Sequence, residues 1–130
     1  MTSEKTIEKI IEIPIAKMWK EEGIIFVKFI DKLDMTLENA KSGVQARLEL
    51  SEGMSQPVLI DMRGIKSVTK EAREYLAEEG AKLITAGALI VGSPLNRTLG
   101  NIFLWVNKPK VPTKLFTDEG EAREWLKPYL

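Results

Sequence analysis

The stretch ALIVG, Ala88 to Gly92, carries no polar side chain, and Ser93-Pro94 follows it at once. A short run that is apolar at every position needs cover on both faces, as a central strand of a parallel sheet has. Ser at a cap with Pro at the first helical position starts a helix. A buried strand that feeds directly into a helix requires helices layered on a sheet, the α/β class.

The rest of the chain repeats that logic. Apolar and charged residues partly alternate from Ile7 to Ile15, and GIIFVKFI, Gly23 to Ile30, is rich in β-branched and aromatic residues. These read as two strands of an antiparallel hairpin that turns at Lys20 to Gly23. Thr36 caps a helix whose stripe is Leu37, Ala40, Val44 and Leu48 and which ends near Glu52-Gly53. VLID, Val58 to Asp61, is a further strand. A helix is predicted from about Lys70 to Leu83, with Ala72, Tyr75, Leu76 and Leu83 on one side. Leu95, Leu99, Ile102, Phe103 and Val106 keep helical spacing after Ser93, until Lys108-Pro109 and Val111-Pro112 break it. Thr113 to Phe116 forms a last strand. Asp118 caps a last helix in a capping-box pattern with Glu121, turning Ala122, Trp125 and Leu126 inward.

The order β-β-α-β-α-β-α-β-α implies an N-terminal hairpin followed by β-α repeats. The sheet is mixed and mostly parallel, of about five strands with about four helices, with right-handed crossovers. At 130 residues the chain is expected to form a single domain, with residues 1–6 as a frayed tail. No internal repeat or linker is visible.

Composition narrows the chemistry. There is no Cys, so thiolate catalysis, disulfides and Cys-based metal sites are excluded. There is no His either, which removes His-dependent triads and the commonest transition-metal ligand. A general base would have to be a tuned carboxylate or Lys. Lys plus Arg equals Asp plus Glu at 19 each, a balance that does not suggest nucleic acid. The first residues lack a signal-peptide pattern, and no apolar run reaches the ~20 residues of a membrane span, so a cytoplasmic protein without cofactor or metal is expected.

The element order, with VLIDMRGIKSVTKEAREYL from Val58 to Leu76, resembles the STAS domain, the fold of bacterial anti-sigma-factor antagonists and of the cytoplasmic tails of sulfate transporters. LIDMRGIKSV supplies that family's strand end and Gly64. The resemblance covers most of the chain as architecture, but as a motif only this stretch. Where the family opens its helix with Asp, an acceptor Ser and Gly, this chain has Thr69, Lys70, Glu71 and Ala72. The acceptor position falls on Lys70 or Glu71, so the resemblance implies the fold without the serine phospho-switch. The ending LFTDEGEAREWLKPYL, with Ala122, Trp125 and Leu126, and the segment SPLNRTLGN are similar to those of small, uncharacterised bacterial STAS-like proteins.

Candidate binding residues cluster where open α/β sheets place ligands, beyond the carboxyl ends of parallel strands. After VLID these are Asp61, Arg63, Lys66, Ser67, Thr69, Lys70, Glu71 and Arg73. After ALIVG they are Ser93, Asn96 and Arg97, with Asn101 beyond. Ser67 and Thr69 are either phosphoacceptors or caps. Glu71 offers a fixed negative charge where relatives carry phosphate. Arg63, Lys66 and Arg97 near helix N-termini can hold an anion, and Asp61 with Arg63 or Arg97 can equally form a structural ion pair. No phosphate-loop motif is present. Glu21-Glu22, Glu52 with Asp61, and Asp118-Glu119 read as solvated surface.

Trp19, Trp105 and Trp125 read as core or interface. The two-faced apolar strand IIFVKFI, together with Leu104 and Trp105 off their helix stripe, predicts a homodimer. The expected function is a non-enzymatic docking or regulatory module with a protein partner. The alternative is a binder of an apolar or anionic small molecule, such as a lipid, held between the sheet and a helix or in a dimer seam.

Overall fold

The computed structural model describes residues 7–130, and the tail expected at 1–6 lies outside the described residues. The strands are β1 (Ile7–Ile13), β2 (Ala16–Glu21), β3 (Ile24–Phe29), β4 (Leu33–Met35), β5 (Gln56–Asp61), β6 (Ile65–Val68), β7 (Ile84–Ile90) and β8 (Thr113–Phe116). The helices are α1 (Leu37–Ser51), α2 (Lys70–Glu78), α3 (Pro94–Ile102) and α4 (Glu119–Leu126). The main sheet has the order β1-β2-β3-β5-β7-β8, and β4 pairs with β6 apart from it. Pairing is antiparallel from β1 to β3 and parallel from β3 to β8. This is the expected hairpin-then-β-α architecture.

The N-terminal hairpin is in fact a three-strand meander. The turn at Glu22-Gly23 sits where expected, both residues holding positive φ of 52° and 79°, the geometry of a two-residue hairpin turn. A second turn at Pro14-Ile15 splits the preceding stretch, and Ala16–Glu21 becomes a strand of its own. Its charged residues hide it. Lys20 and Glu21 are 7% and 5% exposed, against the expectation that Glu21 is solvated. Arg123 of α4 explains the burial of Glu21: its Nη1 lies 3.0 Å from Glu21 Oε2, its Nε binds Glu119, and its guanidinium stacks over Phe26.

The helix starts follow the caps. Thr36, Thr69, Ser93 and Asp118 each accept a hydrogen bond from the backbone N–H three residues on. α1 ends at Ser51, beside the expected Glu52-Gly53, but the ends of α2 and α3 differ from the sequence reading. α2 stops at Glu78 and tightens into a 3₁₀ turn over Glu79–Ala81, and Leu83 leaves the helix with φ of 59°. α3 widens after Ile102 into a π-helical turn, Phe103–Asn107, closed by Lys108 N–H on the Phe103 carbonyl. Leu95 and Val106, expected on the inward stripe, are exposed.

Both faces of the sheet are covered within the chain. Ile25, Val27, Val58 and Leu89 meet α1 and the flanks of α2 and α3 on one face. Ile24, Phe26, Leu59, Ala88 and Ile90 meet Ala122 and Leu126 of α4 on the other, with Trp19, Trp125 and Tyr129 around them. The uncovered face from which a homodimer was expected is therefore filled by α4. Trp105, expected in core or interface, is 75% exposed in the monomer.

Gly64 fixes the crossing of the β3–β4 connection over the β5–β6 turn. A Cβ there would lie 2.2 Å from the Ile30 carbonyl oxygen, and the Gly64 carbonyl accepts from Leu33 N–H. Backbone on both sides leaves nothing flexible to yield. Gly64→Ala is expected to destabilise the fold by about 2 kcal/mol or more, read as a lowered urea midpoint. An unchanged midpoint would mean that the two segments separate freely.

Candidate functional site

The two loops at the carboxyl edge of the sheet are joined by one side chain. Asn96, in the first turn of α3, is 2% exposed. Its Nδ2 donates to the Met62 and Ile65 carbonyls at 2.7 and 3.1 Å, and its Oδ1 accepts from Gly92 N–H at 3.0 Å. Asn96 was expected to face a ligand, but these bonds make it a staple between loops. Ser93 caps α3 by accepting from Asn96 N–H.

The expected anion cluster is not assembled. Arg63 grips Asp61 through Nε at 2.9 Å and Nη2 at 2.7 Å, while its own N–H donates to Asp61 Oδ1. Burial pushes the Asp61 carboxyl up, but these hydrogen bonds outweigh it and hold the group below its usual 3.8. Lys66 lies 3.7 Å from Asp34, and Lys70 pairs with Glu74. Ser67 donates to Asp34 Oδ1, and Thr69 caps α2. Arg97 sits apart in a shallow groove with Lys114, Asp118 and Glu124. Glu71 is exposed in the first turn of α2.

A different site lies beneath α2. That helix packs principally on α1 and on the Phe103–Asn107 turn rather than on the strands. The space left between α2 and the sheet is a cavity of about 130 Å³. Its wall is almost wholly apolar: Met18, Val27, Ile60 and Leu89 from the sheet, Leu76 from α2, and Phe103 from the π-helical turn. Gly43 and Ala40 on α1 leave the room, and a Cβ at Gly43 would meet only Ile15 and Phe29 side-chain atoms at about 3.9 Å. An apolar cavity of about 150 Å³ stays dry and accepts a molecule the size of benzene.

Two arginines reach this cavity. Arg47 of α1 is 4% exposed, and its Nη2 donates to the Gly80 and Lys82 carbonyls beyond the end of α2. Its Nη1 is buried with no hydrogen-bond partner. Burial pulls the guanidinium down to about 10, so it stays charged at neutral pH. Arg73, a member of the expected cluster, also lines the cavity, and its buried Nε has no partner. The remaining polar side chains of the wall are occupied, with Asn39 donating to the Asp34 carbonyl and Thr113 to the Val111 carbonyl.

Arg47 escaped the sequence reading. Its signal was present: it falls in phase with Ala40, Val44 and Ser51, a charged residue on the buried side of α1. Among the described residues no group of three or more Asp or Glu side chains is placed to hold a metal ion, and no helix is long and apolar enough to cross a membrane.

Two comparisons carry information. A family model described as "Domain of unknown function (DUF7793)" matches residues 18–130. The solved structure of an uncharacterised protein from the DUF3478 family with a SpoIIAA-like fold, from Shewanella loihica PV-4, matches with a TM-score of 0.58. It is 16% identical, over 97% of this chain and 98% of that one. The likeness establishes the STAS-like fold. A search of curated proteins gave no match.

Two predictions test the loop geometry. Asn96→Leu is expected to lose about 3 kcal/mol for its three hydrogen bonds, and Ser93→Ala only about 1 kcal/mol for its cap. Equal losses in urea unfolding would contradict the staple. For Asp61, a carboxyl held low in the folded state contributes stability above its unfolded value and loses it as pH falls through the folded one. Asp61→Asn is thus expected to be less stable at pH 7 by under about 1 kcal/mol, since Arg63 is solvent-screened. The gap should close as pH drops below 3.8.

Proposed function

We propose that this chain, which belongs to the family described as Domain of unknown function (DUF7793), is a non-enzymatic STAS-like regulatory module that takes a small apolar ligand beneath α2. The observation that carries this reading is the cavity itself, apolar in lining and provided with unused polar donors from Arg47 and Arg73. Ligand sites are of this kind: concave, largely apolar, with a few convergent polar groups. The lining contains no carboxylate and no lysine, so no general base faces the space, and binding without turnover is the favoured chemistry. With no serine at the expected acceptor position, ligand occupancy takes the place of phosphate as the module's input. We place the module in the cytoplasm, where the surface from Arg63 to Arg73 presents that input to a protein partner.

The expected homodimer finds a different basis. Leu95, Trp105 and Val106 are 58%, 75% and 67% exposed on α3 and the turn after it, large apolar groups that a second copy would cover. Trp105→Glu is expected to convert a dimer to a monomer in size-exclusion chromatography with light scattering. A wild-type chain that is monomeric at high concentration removes this reading.

Native mass spectrometry of gently purified full-length chain, joined to thermal unfolding with added 1-octanol, tests the ligand reading. A bound small molecule, or an octanol-dependent rise in Tm, is the expected result. Saturation at 100 times Kd corresponds to about 2.7 kcal/mol of added stability. Bare protein whose Tm ignores octanol would sink the reading.

A further inference from the structure

We infer that the ligand of this cavity is a carboxylate-bearing apolar molecule whose headgroup is received by Arg47 Nη1. The inference rests on the cavity being a ligand site and adds the chemical class. Arg47 is a buried cation with no carboxylate beside it. Its guanidinium donates from Nη2 to the Gly80 and Lys82 carbonyls. Those carbonyls, at the end of α2 and its 3₁₀ extension, carry partial negative charge and account for one edge of the guanidinium. The other edge, Nη1, is out of reach of water and unbonded.

A buried charge left without a counter-charge is costly. Nothing in the wall can supply one, because no Asp or Glu lines the cavity. The second unbonded donor, Arg73 Nε, has the same deficit on the α2 wall. Among the described residues, no acid pairs with either guanidinium. The neutralising group must therefore arrive with the ligand. Guanidinium N–H groups match a planar carboxylate in direction and spacing.

Size limits the rest of the molecule. A volume of about 130 Å³ is slightly below that of a cavity which holds benzene, which points to a buried body of about six carbon atoms. The neighbours of that body would be Val27, Ile60, Leu76, Leu89 and Phe103. Medium-chain carboxylic acids have this form.

Isothermal titration of the full-length chain with octanoate and with 1-octanol, equal in chain length and different in charge, reads the inference directly. Octanoate is expected to bind at least about tenfold more tightly than octanol, the scale of one charge-assisted hydrogen bond. Octyl phosphate, with a larger headgroup, is expected to bind more weakly than octanoate. Gly43→Leu, which fills the cavity from a position where a Cβ makes only ordinary van der Waals contacts, is expected to abolish binding of both octanoate and octanol. Arg47→Gln, whose amide can still donate to a carbonyl, is expected to bring octanoate down to the affinity of octanol. If octanol binds as well as octanoate to the wild type, the carboxylate assignment is wrong while the cavity remains a ligand site. If neither binds, both readings fall. Undiminished binding by Gly43→Leu would put the ligand elsewhere, and tighter octyl phosphate binding would overturn the choice of headgroup. Should Arg47→Gln not fold, the wild-type ratio of octanoate to octanol still decides the matter.

Discussion

The buried amide of Asn96 holds the carboxyl edge of the sheet together. It binds two carbonyls of the Met62–Ile65 turn, which Ile65 N–H on the Met62 carbonyl also closes, and one N–H just beyond β7. An unmade bond of this kind costs more than a made one contributes, so the two loops and the start of α3 are fixed as a unit. Gly64 lies inside the same turn and admits the β3–β4 connection at a distance that no side chain permits. The pairing of β4 with β6 follows, and with it the position of Thr69, whose N–H donates to the Met35 carbonyl before its hydroxyl oxygen caps α2. The placement of α2 is thus set by a chain of local bonds that begins at Asn96.

That placement explains the cavity. On the far face of the sheet, α4 packs flush, with Ala122 and Leu126 fully buried and Arg123 clamped between Glu21 and Glu119. On the near face, α1 and the π-helical turn hold α2 from its two sides, and small residues, Ala40, Gly43, Gly80 and Gly87, stand where larger ones would close the gap. A void of about 130 Å³ left empty forgoes packing on the order of 3 kcal/mol. A domain with both faces of its sheet otherwise filled has the means to close such a void with one leucine. That it stays open, with Arg47 and Arg73 in its wall, is what the proposed ligand site rests on.

What the sequence made legible was local. All four helix caps, the Glu22-Gly23 turn and β8 depend on residues within a few positions of one another, and each is found where its residues predict. β2 was missed because Lys20 and Glu21 break the apolar pattern, while the groups that accompany their burial, Glu52 and Arg123, come from distant parts of the chain. β4 and β6 were missed because strands of 3 and 4 residues have almost no pattern and exist only through each other, some thirty residues apart. The candidate site was legible as a region and not as a chemistry. The residues around Asp61 are indeed at the carboxyl edge, yet most of them bind one another. Of the expected cluster, Arg73 alone turns inward to the cavity, and its companion Arg47 sits on a helix that motif reasoning never searched.

The cavity and the expected switch position belong to the same few turns of structure. Thr69 caps α2, Lys70 and Glu71 expose its first turn, and Arg73 faces the cavity from the next. Met35, Ile65 and Val68, on the strand pair that carries Ser67, also line it. Two residues, about 3 Å of helical rise, separate the exposed acidic Glu71 at the start of α2 from Arg73. A phosphate at that start would act through charge on the helix N-terminus. On the proposed reading, an anionic ligand beside Arg73 would act on the same helix from inside, without any covalent change. On that reading, a chain with Lys70 and Glu71 at the acceptor position would transmit occupancy of the cavity through α2 to the surface formed by β6 and the start of that helix.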